Sequence, residues 1–210
     1  MKRLLVAATV AAWLLSATGA LVAQEEEKGF RPLFDGKTLD GFVGDPQLWR
    51  VEDGQIVGST EGKKLKHNSF LATRKKFRNF ILKVKFKLRN HNSGIQFRSQ
   101  LLKDFIVRGY QADIAENRYL GILYEERGRG ILADVNPQQV RKHYKPGQWN
   151  EYTIVADGPH IKLLINGHLT VDYYEKDPKR GAKEGIIAFQ LHTGPPMEIR
   201  FKDIRIKELP

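Results

Sequence analysis

Three short segments carry polar side chains whose spacing on a strand would expose them together. In Asn92-Ser93-Gly94-Ile95-Gln96-Phe97-Arg98-Ser99, alternation turns Ile95 and Phe97 inward and predicts a row of Gly94, Gln96 and Arg98 on the opposite face. In Gly109-Tyr110-Gln111-Ala112-Asp113-Ile114, Gln111 and Asp113 share a face; in Ala188-Phe189-Gln190-Leu191-His192, Gln190 and His192 do. An arginine, an aspartate, a histidine and three amides on one surface can move protons and bind hydroxyls, which a coat of lysine and glutamate does not do. Each has an ordinary reading when taken alone. Arg98 can pair with Asp113 across strands, Gln96 and Gln190 can be surface amides, and His192 can be structural; their co-location argues for a site. The segment Leu123-Tyr124-Glu125-Glu126-Arg127-Gly128-Arg129-Gly130 adds acids, an aromatic and arginines beside glycines, either as a rim over that site or as a solvated charged hairpin.

Other chemistries are excluded or unsupported. The chain of 210 residues has no cysteine, which removes disulfide scaffolds, thiol nucleophiles and cysteine-ligated zinc. No H-E-x-x-H, phosphate-binding glycine loop, calcium-loop pattern or G-x-S-x-G occurs. The six histidines, at 67, 91, 143, 160, 168 and 192, lack ligand spacing, so no protein-only metal site is predicted and no cofactor is evident.

The elements that must position these residues read as strands. Phe80, Leu82, Val84, Phe86 and Leu88 alternate with Ile81, Lys83, Lys85, Lys87 and Arg89, one face for a core and one for water. Asp53-Gly54, Asp157-Gly158 and Asn166-Gly167 mark hairpin turns, and Lys202-Asp203 shifts the apolar period by one, which predicts a bulge. No amphipathic helical stretch, internal repeat or linker interrupts the pattern, so residues 30–210 are expected to form one all-β domain of two packed antiparallel sheets.

Ahead of it, Lys2-Arg3, the apolar run Leu4 to Leu15 and small residues through Ala23 have the layout of a cleavable export signal over residues 1–23, with an acidic leader over 24–29. Export to the periplasm or the exterior of a bacterium is expected, with no stable membrane insertion after cleavage. The net charge of +11 then argues for a solvated strand face rather than a nucleic-acid partner.

Several ordered motifs resemble a known family. Leu33-Phe34-Asp35-Gly36-Lys37-Thr38-Leu39-Asp40-Gly41-Phe42, Trp49-x-Val51-Glu52-Asp53-Gly54-x-Ile56, Asn92-Ser93-Gly94-Ile95, Trp149-Asn150-Glu151-Tyr152, Ile165-Asn166-Gly167 and the ending Phe201 to Leu209 together are similar to the 3-keto-disaccharide hydrolases. The resemblance implies a concanavalin A-like jelly roll. It departs at Phe42, where the commoner form has Trp, and at Tyr110-Gln111-Ala112-Asp113, where that form has Tyr-Glu-x-Gln; Asp113 would then take the acid's role.

The resemblance implies a saccharide substrate carrying a C3 ketone installed beforehand by a separate oxidoreductase. A base removes the acidified C2 proton, an enolate forms, and the C1 substituent leaves. On this reading His192 or Asp113 is the base, Arg98 the cation beside the enolate, and Glu125 or Glu126 the proton donor, while Gln96, Gln111, Gln190, Tyr110, Tyr124 and Arg127 bind substrate. A divalent metal could replace Arg98 as the stabiliser. Two other readings remain open at this point. One is a glycosidase pairing Asp113 with Glu125; the other is a non-catalytic carbohydrate-binding module using Tyr110, Tyr124 and Trp149. Exposed on a shared face, Arg98, Asp113 and His192 would each contribute little to folding.

Overall fold

The alternation read over Phe80–Arg89 becomes the central strand of one sheet, with Phe80, Leu82, Val84, Phe86 and Leu88 buried and the side chains between them partly exposed. The computed structural model describes residues 28–210, so the expected export signal and the leader as far as residue 27 lie outside the described residues. Among the described residues fifteen strands are numbered in chain order. The first sheet runs β13 (His168–Tyr174), β12 (His160–Ile165), β11 (Asn150–Asp157), β6 (Phe80–Arg89), β15 (Glu198–Glu208), β4 (Gln55–Ser59), β3 (Trp49–Glu52), with β1 (Arg31–Pro32) pairing β15. The second runs β10 (Gly130–Ala133), β9 (Leu123–Glu126), β8 (Val107–Ala115), β7 (Asn92–Leu101), β14 (Ile186–Leu191), β5 (Ser69–Thr73), β2 (Phe42–Val43). All of the strand pairings are antiparallel.

The two sheets bury their facing side chains against each other. Phe97 of β7 meets Phe80 of β6 edge to face, with ring centroids 6.5 Å apart, and Phe189 of β14 stacks on Phe201 of β15 at 4.3 Å. A second, smaller apolar cluster forms from Phe70, Ala72, Val107, Ile186 and Ala188, with Leu101 packed against it. The predicted bulge in β15 is present, with the register shifting between Lys202 and Arg205 and Asp203 at φ 49°.

One element was not expected. A helix of five residues, α1 (Pro137–Arg141), starts where the Asn136 side chain accepts from the Gln138 N–H and proline occupies the first turn. Its length is too short for helical periodicity to register in the sequence.

Candidate active site

The register of the second sheet decides which side chains meet. Gly94 pairs with Asp113, Gln96 with Gln111, and Gln111 with Tyr124, while Ala188 pairs with Gln96 and Gln190 with Phe70. Directly paired residues project to the same side, so Gln96, Gln111, Asp113, Tyr124 and Gln190 occupy the face turned away from the core. Gly94 makes room on that face for the Gln111 side chain. A Cβ there would lie 2.5 Å from Cδ of Gln111, whose side chain crosses the position.

A relay of amides fixes Asp113. Ser99 Oγ donates to Gln96 Oε1 (2.7 Å), Gln96 Nε2 to Gln111 Oε1 (2.8 Å), and Gln111 Nε2 to Asp113 Oδ1 (3.2 Å). Asn92 Nδ2 approaches the same carboxylate oxygen at 3.5 Å. Burial pushes the Asp113 carboxyl up to about 8, against the lowering effect of the Asn92 and Gln111 bonds, and the nearby Glu126 charge adds to the rise. Near neutral pH this carboxyl keeps its proton and can donate it. Beside it, Asn92 Oδ1 and both side-chain polar atoms of Gln190 are buried without a hydrogen-bond partner among the described residues. Buried polar atoms normally have partners, so these amides are built to meet something other than the protein.

His192 follows β14 directly, beside His91 of the turn joining β6 and β7. Its Nδ1 lies 2.5 Å from the Thr193 carbonyl oxygen, and His91 Nε2 reaches that oxygen at 2.8 Å, with the rings edge to face. His91 Nε2 also lies 3.1 Å from His192 Nδ1; with the His192 ring hydrogen on Nδ1 and donated to the Thr193 carbonyl, Nε2 is the basic nitrogen. Burial lowers the His192 pKa, so the ring is neutral and able to accept a proton near pH 7. His91 adopts φ 73° in the turn joining β6 and β7, and Gly194 admits its ring, since a Cβ there would lie 2.8 Å from His91 Nε2.

Glu126 approaches this face from β9. Its Oε1 accepts from Asn68 Nδ2 at 3.3 Å, and the Asn68 Oδ1 accepts the Thr193 N–H at 2.9 Å. Burial raises the Glu126 carboxyl above the ordinary range. Burial likewise raises the Tyr124 hydroxyl, with the Glu126 and Asp113 charges adding to it. The arrangement thus offers a neutral histidine, a protonated aspartic acid and a second raised carboxyl, which is acid–base chemistry.

Four expected site residues are elsewhere. The register between β7 and β8 shifts between Phe97 and Gln100, and Arg98, at φ 47°, is turned through to the opposite side of the strand. There its guanidinium, 3% exposed, donates to Arg78 O (2.5 Å), Gly158 O (2.6 Å) and Asn79 Oδ1 (2.9 Å), holding turns of the first sheet. Tyr110 alternates with Gln111 and is buried on the core side, its hydroxyl donating to Glu175 Oε2 at 2.7 Å. Glu125 also faces that side; burial pushes its carboxyl up, but hydrogen bonds from Arg129 outweigh this and hold it below its usual range. Arg127 is exposed at the turn between β9 and β10. Trp149, the aromatic suggested for sugar binding, lies instead under Lys87 and Lys202 of the first sheet.

Asn92, Asn68 and His91 were not singled out as site residues. Asn92 belongs to a segment whose alternation places it with Gly94 and Gln96, so its position was readable; Asn68 arrives from a separate loop and carries no local signal. Among the described residues no group of three or more His, Asp or Glu side chains could hold a metal ion.

Two packed antiparallel sheets, one bearing an amide-lined acid–base face, make a β-sandwich, and the family match gives it a carbohydrate-active class. The model of the 3-keto-alpha-glucoside-1,2-lyase-like domain matches residues 29–207, and the chain belongs to that family. A candidate glycosyl hydrolase from Parabacteroides distasonis superposes with a TM-score of 0.66 at 22% identity, covering 89% of this chain and 97% of its own. A second from the same organism gives 0.64 at 25% identity, covering 86% and 99%. The carbohydrate-binding module CBM66 of Bacillus subtilis gives 0.61 at 15% identity, covering 80% and 96%, a likeness of fold. No match is found among curated proteins. Among the described residues no helix is long and apolar enough to cross a membrane.

Proposed function

We propose that the protein cleaves 3-keto-glycosides by taking the C2 proton and expelling the C1 substituent. The observation that carries this reading is the buried Asp113 carboxyl, raised to about 8, set beside the unpartnered Gln190 amide and Asn92 Oδ1. A carboxylic acid kept neutral by its surroundings is the donor an enolate needs, because it delivers a hydrogen bond where negative charge develops.

His192 Nε2 takes the C2 proton, and the electron pair moves to the C3 oxygen, where Asp113 donates. The enolate then collapses: the C1–O bond breaks, a C1–C2 double bond forms, and Glu126 protonates the departing aglycone oxygen. Water adds across the double bond, placing hydroxyl on C1 and hydrogen on C2, and the overall change is hydrolysis. Gln190, Asn92 and Tyr124 hold the sugar hydroxyls, while Gln96 and Gln111, whose amides bond one another, position Asp113. On this reading the ketone comes from a separate oxidoreductase acting earlier, and export, expected from the N-terminal sequence, would have the protein meet its substrate outside the cytoplasm. Arg98, bound to three protein oxygens, has no part in these steps.

The test is aglycone release from an aryl 3-keto-glucoside and from the parent glucoside, with and without chelator. Release from the keto form alone is expected. Equal release from both identifies a glycosidase, and binding without release identifies a module; either result ends the proposal.

A further inference from the structure

At the end of the second sheet away from His192, a cleft of about 1030 Å³ opens between the start of β8, the β9–β10 turn and loops on either side. Lys76, Arg108, Arg127 and Lys179 line it, and none of these side chains makes an ion pair or hydrogen bond among the described residues. Against them stands Glu184, the other lining carboxylate, Glu125, being tied to Arg129. The outer face of the first sheet is different. There Lys85 pairs with Asp203, Arg200 with Glu198 and Glu52, and Lys87 and Lys202 lie over Trp149. Those cations of the first sheet are paired or stacked, whereas the four around this cleft are not.

We infer that the cleft binds an acidic oligosaccharide, a sugar chain bearing carboxylate or sulfate groups. Four cations drawn from separate segments surround a space larger than one small anion fills, which suits a ligand with charges spaced along its length. No aromatic ring lines the cleft, so it lacks the stacking platform that single-stranded nucleic acid uses. Gly109, in the lining, lies four residues along β8 from Asp113, roughly 13 Å at the strand rise. The inference does not require turnover and stands apart from the reaction proposed above.

The experiment is calorimetric titration of the full chain with a hexauronate, a sulfated hexasaccharide, a neutral gluco-hexasaccharide, inorganic sulfate and a thymidine hexanucleotide. At low ionic strength the acidic hexasaccharides are expected to bind and the neutral one not to, with affinity falling steeply as salt is raised. The double variant Arg108→Ser/Arg127→Ser is expected to weaken binding about tenfold or more while its thermal melting stays that of the parent. Unchanged affinity in the double variant overturns the proposal. So does binding of sulfate alone as tight as that of the hexasaccharides, or tighter binding of the hexanucleotide.

Discussion

Replacing Asp113 by Asn is expected to lower turnover of a 3-keto-glucoside roughly a hundredfold or more and, in the same variant, to stabilise the protein at alkaline pH. The first effect follows from removing the acidic proton that meets the enolate. The second follows from linkage. An ordinary aspartate titrates near 3.8, and burial raises Asp113 to about 8 in the fold, so below about pH 4 it is protonated in both states and costs nothing. As pH rises between those values the unfolded chain releases a proton that the folded one retains, and stability is progressively lost until the folded carboxyl ionises near 8. At about 1.4 kcal/mol per unit, the loss from pH 5 to pH 8 is on the order of 4 kcal/mol, and the Asn variant does not suffer it. Melting curves of both proteins across that window check this: the gap in melting temperature should widen in favour of the variant as pH rises. A constant gap would show that Asp113 is not held protonated, and with it the enolate donor would be lost.

Arg98→Met is expected to do the reverse, damaging the fold and sparing the chemistry. The guanidinium is buried and donates to three oxygens on turns of the other sheet, so its removal leaves Arg78 O, Gly158 O and Asn79 Oδ1 without their charged donor. Broken buried networks of this kind cost roughly 3 kcal/mol or more, equivalent to a fall of about 6 to 12 °C in melting temperature at this chain length. The methionine stem keeps much of the packing, so the folded fraction should turn over substrate at the parental rate. A variant that melts normally but has lost turnover would return Arg98 to the reaction.

Alternation was a sound guide wherever the strand ran unbroken. It placed Gln111 with Asp113, and it made the inner face of Phe80–Arg89 readable residue by residue. Arg98 escaped it because Leu101 stands in phase with Phe97 in the sequence, hiding the register shift. In the structure Leu101 packs with the Phe70 cluster on the outer face, as a strand interrupted by one extra residue requires. The corresponding shift at Lys202-Asp203 was visible because apolar residues flank it on both sides. Tyr110 and Glu125 were assigned to the site by residue type, although each is one position from Gln111 or from Tyr124 and Glu126 and must face the other way. The link from Asn68 to Glu126 joins the loop before β5 to β9, which is not a neighbour of β5, and only the folded sheet brings its two ends together.

The most direct measurement is the isotope effect on kcat/KM when the C2 hydrogen of an aryl 3-keto-glucoside is replaced by deuterium. Elimination through C2 predicts slower aglycone release from the deuterated sugar, with no release from the glucoside that lacks the ketone. Equal rates for the two isotopic forms, together with release from the unoxidised glucoside, would contradict proton removal by this face of the sheet.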